Sequence, residues 1–198
     1  MILSNADIQA AMRDGRLLID PAPPLSHYST SSVDLRIGHQ FWRWKRQSSG
    51  VSLAINCSLA SVPDLVRYSE EVTPDDDGLV TVPREGFPLG RTLERIELPP
   101  EGLLAARVEG RGSPARLGLG VHITAPTIHS GFAGPIVLDF KNHGPHTFQL
   151  EAGKTCVCQL IIETISSAPT VELDTVFQKQ NGAFGGERPV GDRSRRRS

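Results

Sequence analysis

The second half of the chain is cut into short apolar runs at nearly even spacing, and this restricts the fold more than any other feature. Val121-His122-Ile123-Thr124 runs into Ala125-Pro126, and Ile136 to Phe140, Thr147 to Leu150 and Cys156 to Glu163 follow. Such spacing, with turn residues between the runs, predicts a barrel or sandwich of strands. The first half adds two more. In Ser31–Gly38, Val33, Leu35 and Ile37 point one way and Asp34 and Arg36 the other, and Phe41, Trp42 and Trp44 continue the strand. Asp34 and Arg36 read as a solvated strand face. Thr92-Leu93-Glu94-Arg95-Ile96-Glu97-Leu98 alternates as well and is closed by Pro99-Pro100.

Composition agrees with this pattern. With 19 glycines, 15 prolines and only 38% apolar residues, a chain of 198 residues favours many short strands and turns over long helices. That length suits one domain with a real core, placed at residues 1–177, followed by a Gly-, Arg- and Ser-rich tail at 178–198 that reads as flexible. One helix is expected at the start. Ser4 can cap it with Asp7 three residues on; Ile8, Ala11 and Met12 share a face, and Gly15 ends it. Residues 47–80 are weakly patterned, and Asp75-Asp76-Asp77-Gly78 reads as a solvated turn.

Several functional classes are disfavoured. Lysines and arginines number 21 against 22 acids, a formal net charge of -1, so no global basic field exists for a nucleic-acid duplex. No apolar stretch reaches about 18 residues, which predicts no membrane helix. The first residues show no cationic region followed by an apolar run, so no export signal is read. Cys57, Cys156 and Cys158 are few and odd in number, which suits a reduced cytoplasmic setting. Cys156 and Cys158 would point the same way on a strand and read as small buried hydrophobes.

Against this background one loop carries chemistry. Val108-Glu109-Gly110-Arg111-Gly112-Ser113-Pro114-Ala115-Arg116-Leu117-Gly118 gathers two arginines, a hydroxyl and three glycines. Arginine forks match phosphate oxygens in pairs, and turned glycine backbone forms a concave nest for an anion. Further on, Pro135-Ile136-Val137-Leu138-Asp139-Phe140 places one acid in an apolar strand. Ile136, Leu138 and Phe140 share one face, and Val137, Asp139 and Lys141 the other. A phosphate cradle with one strand-borne carboxylate points to a nucleotide enzyme.

Most of the chain resembles the dCTP deaminase family of the trimeric dUTPase-like superfamily. The likeness runs through Met1-Ile2-Leu3-Ser4, Asp7-Ile8, Gly15-Arg16-Leu17, Ser32 to Gly38 and Arg91 to Arg95, and is densest from Val108 to Glu163. It implies a mainly β fold: a distorted antiparallel β-barrel of the β-clip kind, with a short N-terminal helix and few other helical turns. It also implies a cytoplasmic homotrimer with sites between subunits. The implied reaction converts dCTP to dUTP and ammonia for pyrimidine deoxynucleotide synthesis, with Mg2+ accompanying the triphosphate and no metal bound by the protein itself. Zinc is not expected, because His-x-Glu and Pro-Cys-x-x-Cys are both missing and Cys156-x-Cys158 has the wrong spacing.

The resemblance assigns roles residue by residue. Asp139 stands where the family has a glutamate that shuttles protons, while Arg116 and Ser113 complete the catalytic group. Arg111, Gly112, Ser113, Pro114, Ala115 and Arg116 form the phosphate and water loop. His129, Val137 and Leu138 line the nucleotide beside Asp139, and Phe177 and Gln180 close over it from the tail. His122 reads as a satisfied structural histidine. Three departures bear on activity. Asp139 is one methylene shorter than glutamate, and a shift of about 1 Å can cost ~10²-fold in rate. Gly112 replaces a serine and Pro114 a leucine. His129 replaces an aspartate that in dUTPases orients the water attacking the α-phosphate, which argues against dUTP pyrophosphatase or bifunctional activity. The rival readings are that enzyme class and a nucleotide-binding homologue with weakened catalysis. A nucleic-acid role for the arginine tail is the weakest.

Overall fold

Helix α1 (Asn5–Arg13) opens the chain as its cap residues dictate. The Ser4 Oγ accepts the Asp7 N–H at 3.2 Å and donates to the Asp7 carboxylate at 2.7 Å. Ile8 and Ala11 are buried, Met12 packs on the same core, and Gly15 leaves the helix with φ +72. The computed structural model describes residues 1–45, 54–56 and 66–173. Phe177, Gln180, Cys57 and the 178–198 tail lie outside them.

Twelve strands follow among these residues: β1 (Leu18–Asp20), β2 (Val33–Trp44), β3 (Ser69–Val72), β4 (Leu79–Val82), β5 (Leu89–Glu97), β6 (Leu104–Gly110), β7 (Leu119–Gly120), β8 (Thr127–Ile128), β9 (Ala133–Asp139), β10 (Lys141–Asn142), β11 (Phe148–Glu151) and β12 (Cys156–Thr164). A five-residue helix, α2 (Gly112–Arg116), sits between β6 and β7. Eight strands form one antiparallel sheet in the order β1-β5-β2-β12-β6-β8, with β3 also on β2 and β9 also on β5. The pairs β7·β10 and β4·β11 are antiparallel too. The expected mainly β, curled antiparallel architecture is the one observed.

The inner side is apolar: Val33, Leu35, Ile37, Phe41, Ile96, Leu104, Phe140, Leu160 and Ile162 are all fully buried. Two buried polar residues on β5 have structural causes. Thr92 lies where the β5·β9 register shifts; its hydroxyl accepts the Ile136 N–H at 2.9 Å and donates to the Glu94 carbonyl at 2.7 Å. It thereby replaces ladder bonds lost to the bulge. Glu94, with no exposure, is discussed below with Arg36.

Four sequence expectations change. The weakly patterned 47–80 region contains β3 and part of β4, and the acidic turn between them is held by the Asp75 carboxylate, which accepts the N–H of Asp77 and Leu79. Val121–Thr124 is not a strand; β7 ends at Gly120, and Ile123 is exposed. Cys156 and Cys158 do not share an environment. The β12·β2 register shifts between them, so Val157 and Cys158 are both buried while Cys156 is half-buried, 3.7 Å from the His27 ring. The glycine-rich nest is instead α2, because Gly110 and Gly112 do not take positive φ.

A glycine contact positions that loop. Gly118 has φ +101, and a Cβ there would overlap the Gly144 backbone, while one on Gly144 would overlap the Leu117 carbonyl. The His143 N–H donates to the Gly118 carbonyl at 2.8 Å. The fully buried Asn142 holds the turn: its amide donates to Val82 and His146 carbonyls, and its oxygen accepts the Gly144 N–H. Gly118→Ala adds both a strained φ and an overlap, and is expected to cost about 3 kcal/mol, read as a lower urea midpoint with unchanged slope.

Candidate active site

Asp139 ends β9, and its N–H donates to the Val121 carbonyl at 3.1 Å. The alternation is as expected: Ile136, Leu138 and Phe140 are buried, and Val137, Asp139 and Lys141 lie on the half-buried side. Burial raises the Asp139 pKa, and the nearby His122 charge opposes this. Leu138, at 1% exposure, gives its side chain to the core, so only its backbone is open to a ligand.

The arginine loop is tied to the fold at both ends, and its β7 end leads toward Asp139. Arg111 caps α2, and Arg116 closes it. Beyond α2, β7 pairs with β10, with Gly120 opposite Lys141 and Leu119 opposite Asn142, just past Asp139. At the other end Arg111 is fixed to β2 and β12: its guanidinium lies 3.0 Å from the Asp34 carboxylate and donates to the Cys156 carbonyl at 3.3 Å. Gly112, Ser113, Ala115 and Arg116 are exposed, and Pro114 is half-buried. A Cβ on Gly112 would meet nothing within 4 Å.

Sequence reasoning missed the acids behind this loop. Asp34 is not on a solvated face. It is 8% exposed, pairs with Arg111, and accepts from the Gln159 side chain at 3.3 Å. Arg36 is bound at 2.8 Å to Glu94, which also accepts the Arg36 backbone N–H. Alternation showed that Asp34 and Arg36 share a side; the covering elements come from distant sequence. Arg91 was missed as well. It lies opposite Val137 in the β5·β9 register, and burial lowers its pKa against the opposing pull of Glu71.

His129 stands apart. It is exposed, and its carbonyl accepts the Phe132 N–H just before β9 begins. His129 precedes β9 (Ala133–Asp139), whereas Asp139 is its last residue. His122 also departs from expectation, because its Nδ1 is buried without a hydrogen-bond partner among the described residues. Among the described residues no three His, Cys, Asp or Glu side chains stand together as a metal cage, and no helix is long and apolar enough to cross a membrane.

Comparison with known proteins places the chain in a family. The family model for dCTP deaminase-like domains matches residues 2–165. The chain belongs to the dCTP deaminase-like family. A dCTP deaminase, dUMP-forming, of Methanosphaera stadtmanae is 36% identical over 166 residues, covering 84% of this chain and 80% of that protein. One of the same name from Methanobrevibacter smithii is 34% identical over 184 residues, covering 92% and 89%. The crystal structure of 2'-deoxycytidine 5'-triphosphate deaminase from Agrobacterium tumefaciens superposes with a TM-score of 0.62 at 18% identity. That match covers 82% of this chain and 48% of the other, and it bears on the fold.

The environment of Asp139 has a consequence for stability. Below about pH 4 its carboxyl is protonated in folded and unfolded chains alike. The folded pKa is raised, so wild type must hold a desolvated charge once pH rises through it, and stability present at low pH is lost. Asp139→Asn carries no such charge. Its stability relative to wild type should therefore rise from pH 4 to pH 8 in parallel denaturation curves; a pH-independent difference would contradict the assignment.

Proposed function

We propose that this dCTP deaminase-like protein hydrolyses dCTP to dUTP and ammonia by general acid–base catalysis without zinc. The observation that carries the reading is Asp139, a half-buried carboxyl with a raised pKa, which the resemblance matches to the family's glutamate. Water adds to the ring carbon bearing the amino group. Asp139 takes a proton from that water and passes it to the ring nitrogen; it then takes the remaining hydroxyl proton of the adduct and passes it to the amine, so ammonia leaves as the carbonyl forms. A carboxyl whose pKa lies nearer neutrality suits both transfers.

Arg111, Ser113 and Arg116 grip the phosphates in this reading, and Val137 lines the base and sugar. The triphosphate brings Mg2+ on its own oxygens. The exposed hydroxyl of Ser113 and guanidinium of Arg116 support this grip, as does the anchoring of Arg111 by Asp34. Assembly into a homotrimer, with sites completed between copies, belongs to the same proposal. It is supported by the exposed Leu117 and Ile123 on either side of β7. Phe177 and Gln180 belong to it as the tail segment closing over nucleotide.

A second reading, release of dUMP, is favoured by the names of the two relatives. His129 opposes it, because an imidazole is a poor substitute for the aspartate that orients water toward the α-phosphate.

Chromatography of products from purified protein, dCTP and magnesium decides between them. The expected products are dUTP and ammonia; dUMP with pyrophosphate establishes the second reading, and bound dCTP without ammonia defeats both. Asp139→Ala should lose at least about 10³-fold in kcat. Asp139→Glu should gain up to ~10²-fold by restoring reach. Gly112→Ser, which has free space for its side chain, should also raise kcat.

A further inference from the structure

Glu109, His122 and Asp139 converge from β6, the segment after β7, and the end of β9. The His122 Nε2 lies 3.8 Å from the Glu109 carboxylate. The bond from the Asp139 N–H to the Val121 carbonyl draws His122 alongside the acid, and the β7·β10 register leads to the same juxtaposition. Three quarters of the His122 side chain is covered, and its Nδ1 is buried without a partner among the described residues. An unpaired buried ring nitrogen is costly, and a histidine serving only the packing gains nothing from it.

We propose that His122 is an electrostatic positioning residue for Asp139, its imidazolium braced by Glu109. This rests on the deaminase reading and adds to it a group that does not touch the nucleotide. Asp139 must be ionised to take a proton from water, yet burial favours its neutral form. A cation beside it restores the balance. The other cations around the acid are engaged elsewhere. Lys141 pairs with Glu85, Arg107 bonds Glu163 at 3.1 Å and lies 3.7 Å from Glu109, and Arg91 is drawn by Glu71. His122 is the cation whose charge acts on the Asp139 carboxyl. Glu109, 3.8 Å from Nε2, braces the ring in place.

The test is the titration of the Asp139 carboxyl, followed by carbon-13 NMR in wild type, His122→Gln and Glu109→Gln, together with the pH profile of kcat/KM. Removing the cation, or its brace, should move the Asp139 titration to higher pH. The acid limb of kcat/KM should move with it, while activity on the alkaline side is retained. A uniform loss at every pH would mark a structural role and overturn the proposal. So would an unmoved Asp139 titration in either folded variant. Should His122→Gln fail to fold, Glu109→Gln decides. The NMR titration reads the electrostatic link whether or not dCTP is turned over, so failure of this inference is distinct from failure of the deaminase reading.

Discussion

A carboxylate with no solvent exposure lies between β2 and β5, and much of the molecule's polar architecture follows from it. Glu94 accepts from both the backbone N–H and the guanidinium Nε of Arg36, each at 2.8 Å. Removing either partner of such a pair strands a buried charge, at a cost of about 3–5 kcal/mol. The pair therefore holds β2 against β5 in one register. Two residues earlier on the same side of β2, Asp34 is delivered to Gln159 on β12 and to Arg111 at the start of α2. The side of β2 that alternation describes only as polar is a scaffold for the candidate phosphate loop.

The contrast among three acids separates support from chemistry. Glu94 and Asp34 each face an arginine, which is how a fold makes a covered carboxylate tolerable. Asp139 has no arginine or lysine within ion-pair distance among the described residues, and burial raises its pKa. A group left in this condition costs stability and gains reactivity. Its position is nevertheless secure, because β9 is bonded to β5 along its length and the Asp139 N–H is tied to Val121. The backbone is rigid where the side chain is left unmatched.

Legibility from the sequence followed the range of the interactions involved. The Ser4 cap and the inward face of β9 depend on residues within a few positions of one another, and both were readable. The partners of Asp34 and Arg36 come from 77 and 58 residues away, and no local pattern encodes them. Bulges defeated strict alternation at Cys156–Cys158, where one shifted residue turns two neighbours inward. The loop expected to form a glycine nest is a helix because a nest requires positive φ, and at Gly110 and Gly112 nothing enforces it. Asp139 and Arg111 stand out in the sequence because a lone acid in an apolar strand and arginines among glycines are unusual locally. His122 was misread because its missing hydrogen bond depends on what surrounds the ring.

Gly112, Asp139 and His129 lie where the fold does not require the residue present. Gly118 and Gly144 are glycine because backbone lies where a Cβ would go. Gly112 is different: space around it is open, its φ is not in the left-handed region, and serine would fit. Packing therefore does not demand glycine there. The register of β9 against β5 is set by backbone bonds and by the buried Ile136 and Leu138, so aspartate or glutamate at 139 leaves it unchanged. His129 is exposed and free of the core. Substitution at these three positions leaves intact the Arg36–Glu94 pair, the Arg111–Asp34 anchor and the glycine seam that hold the loop and the acid in place.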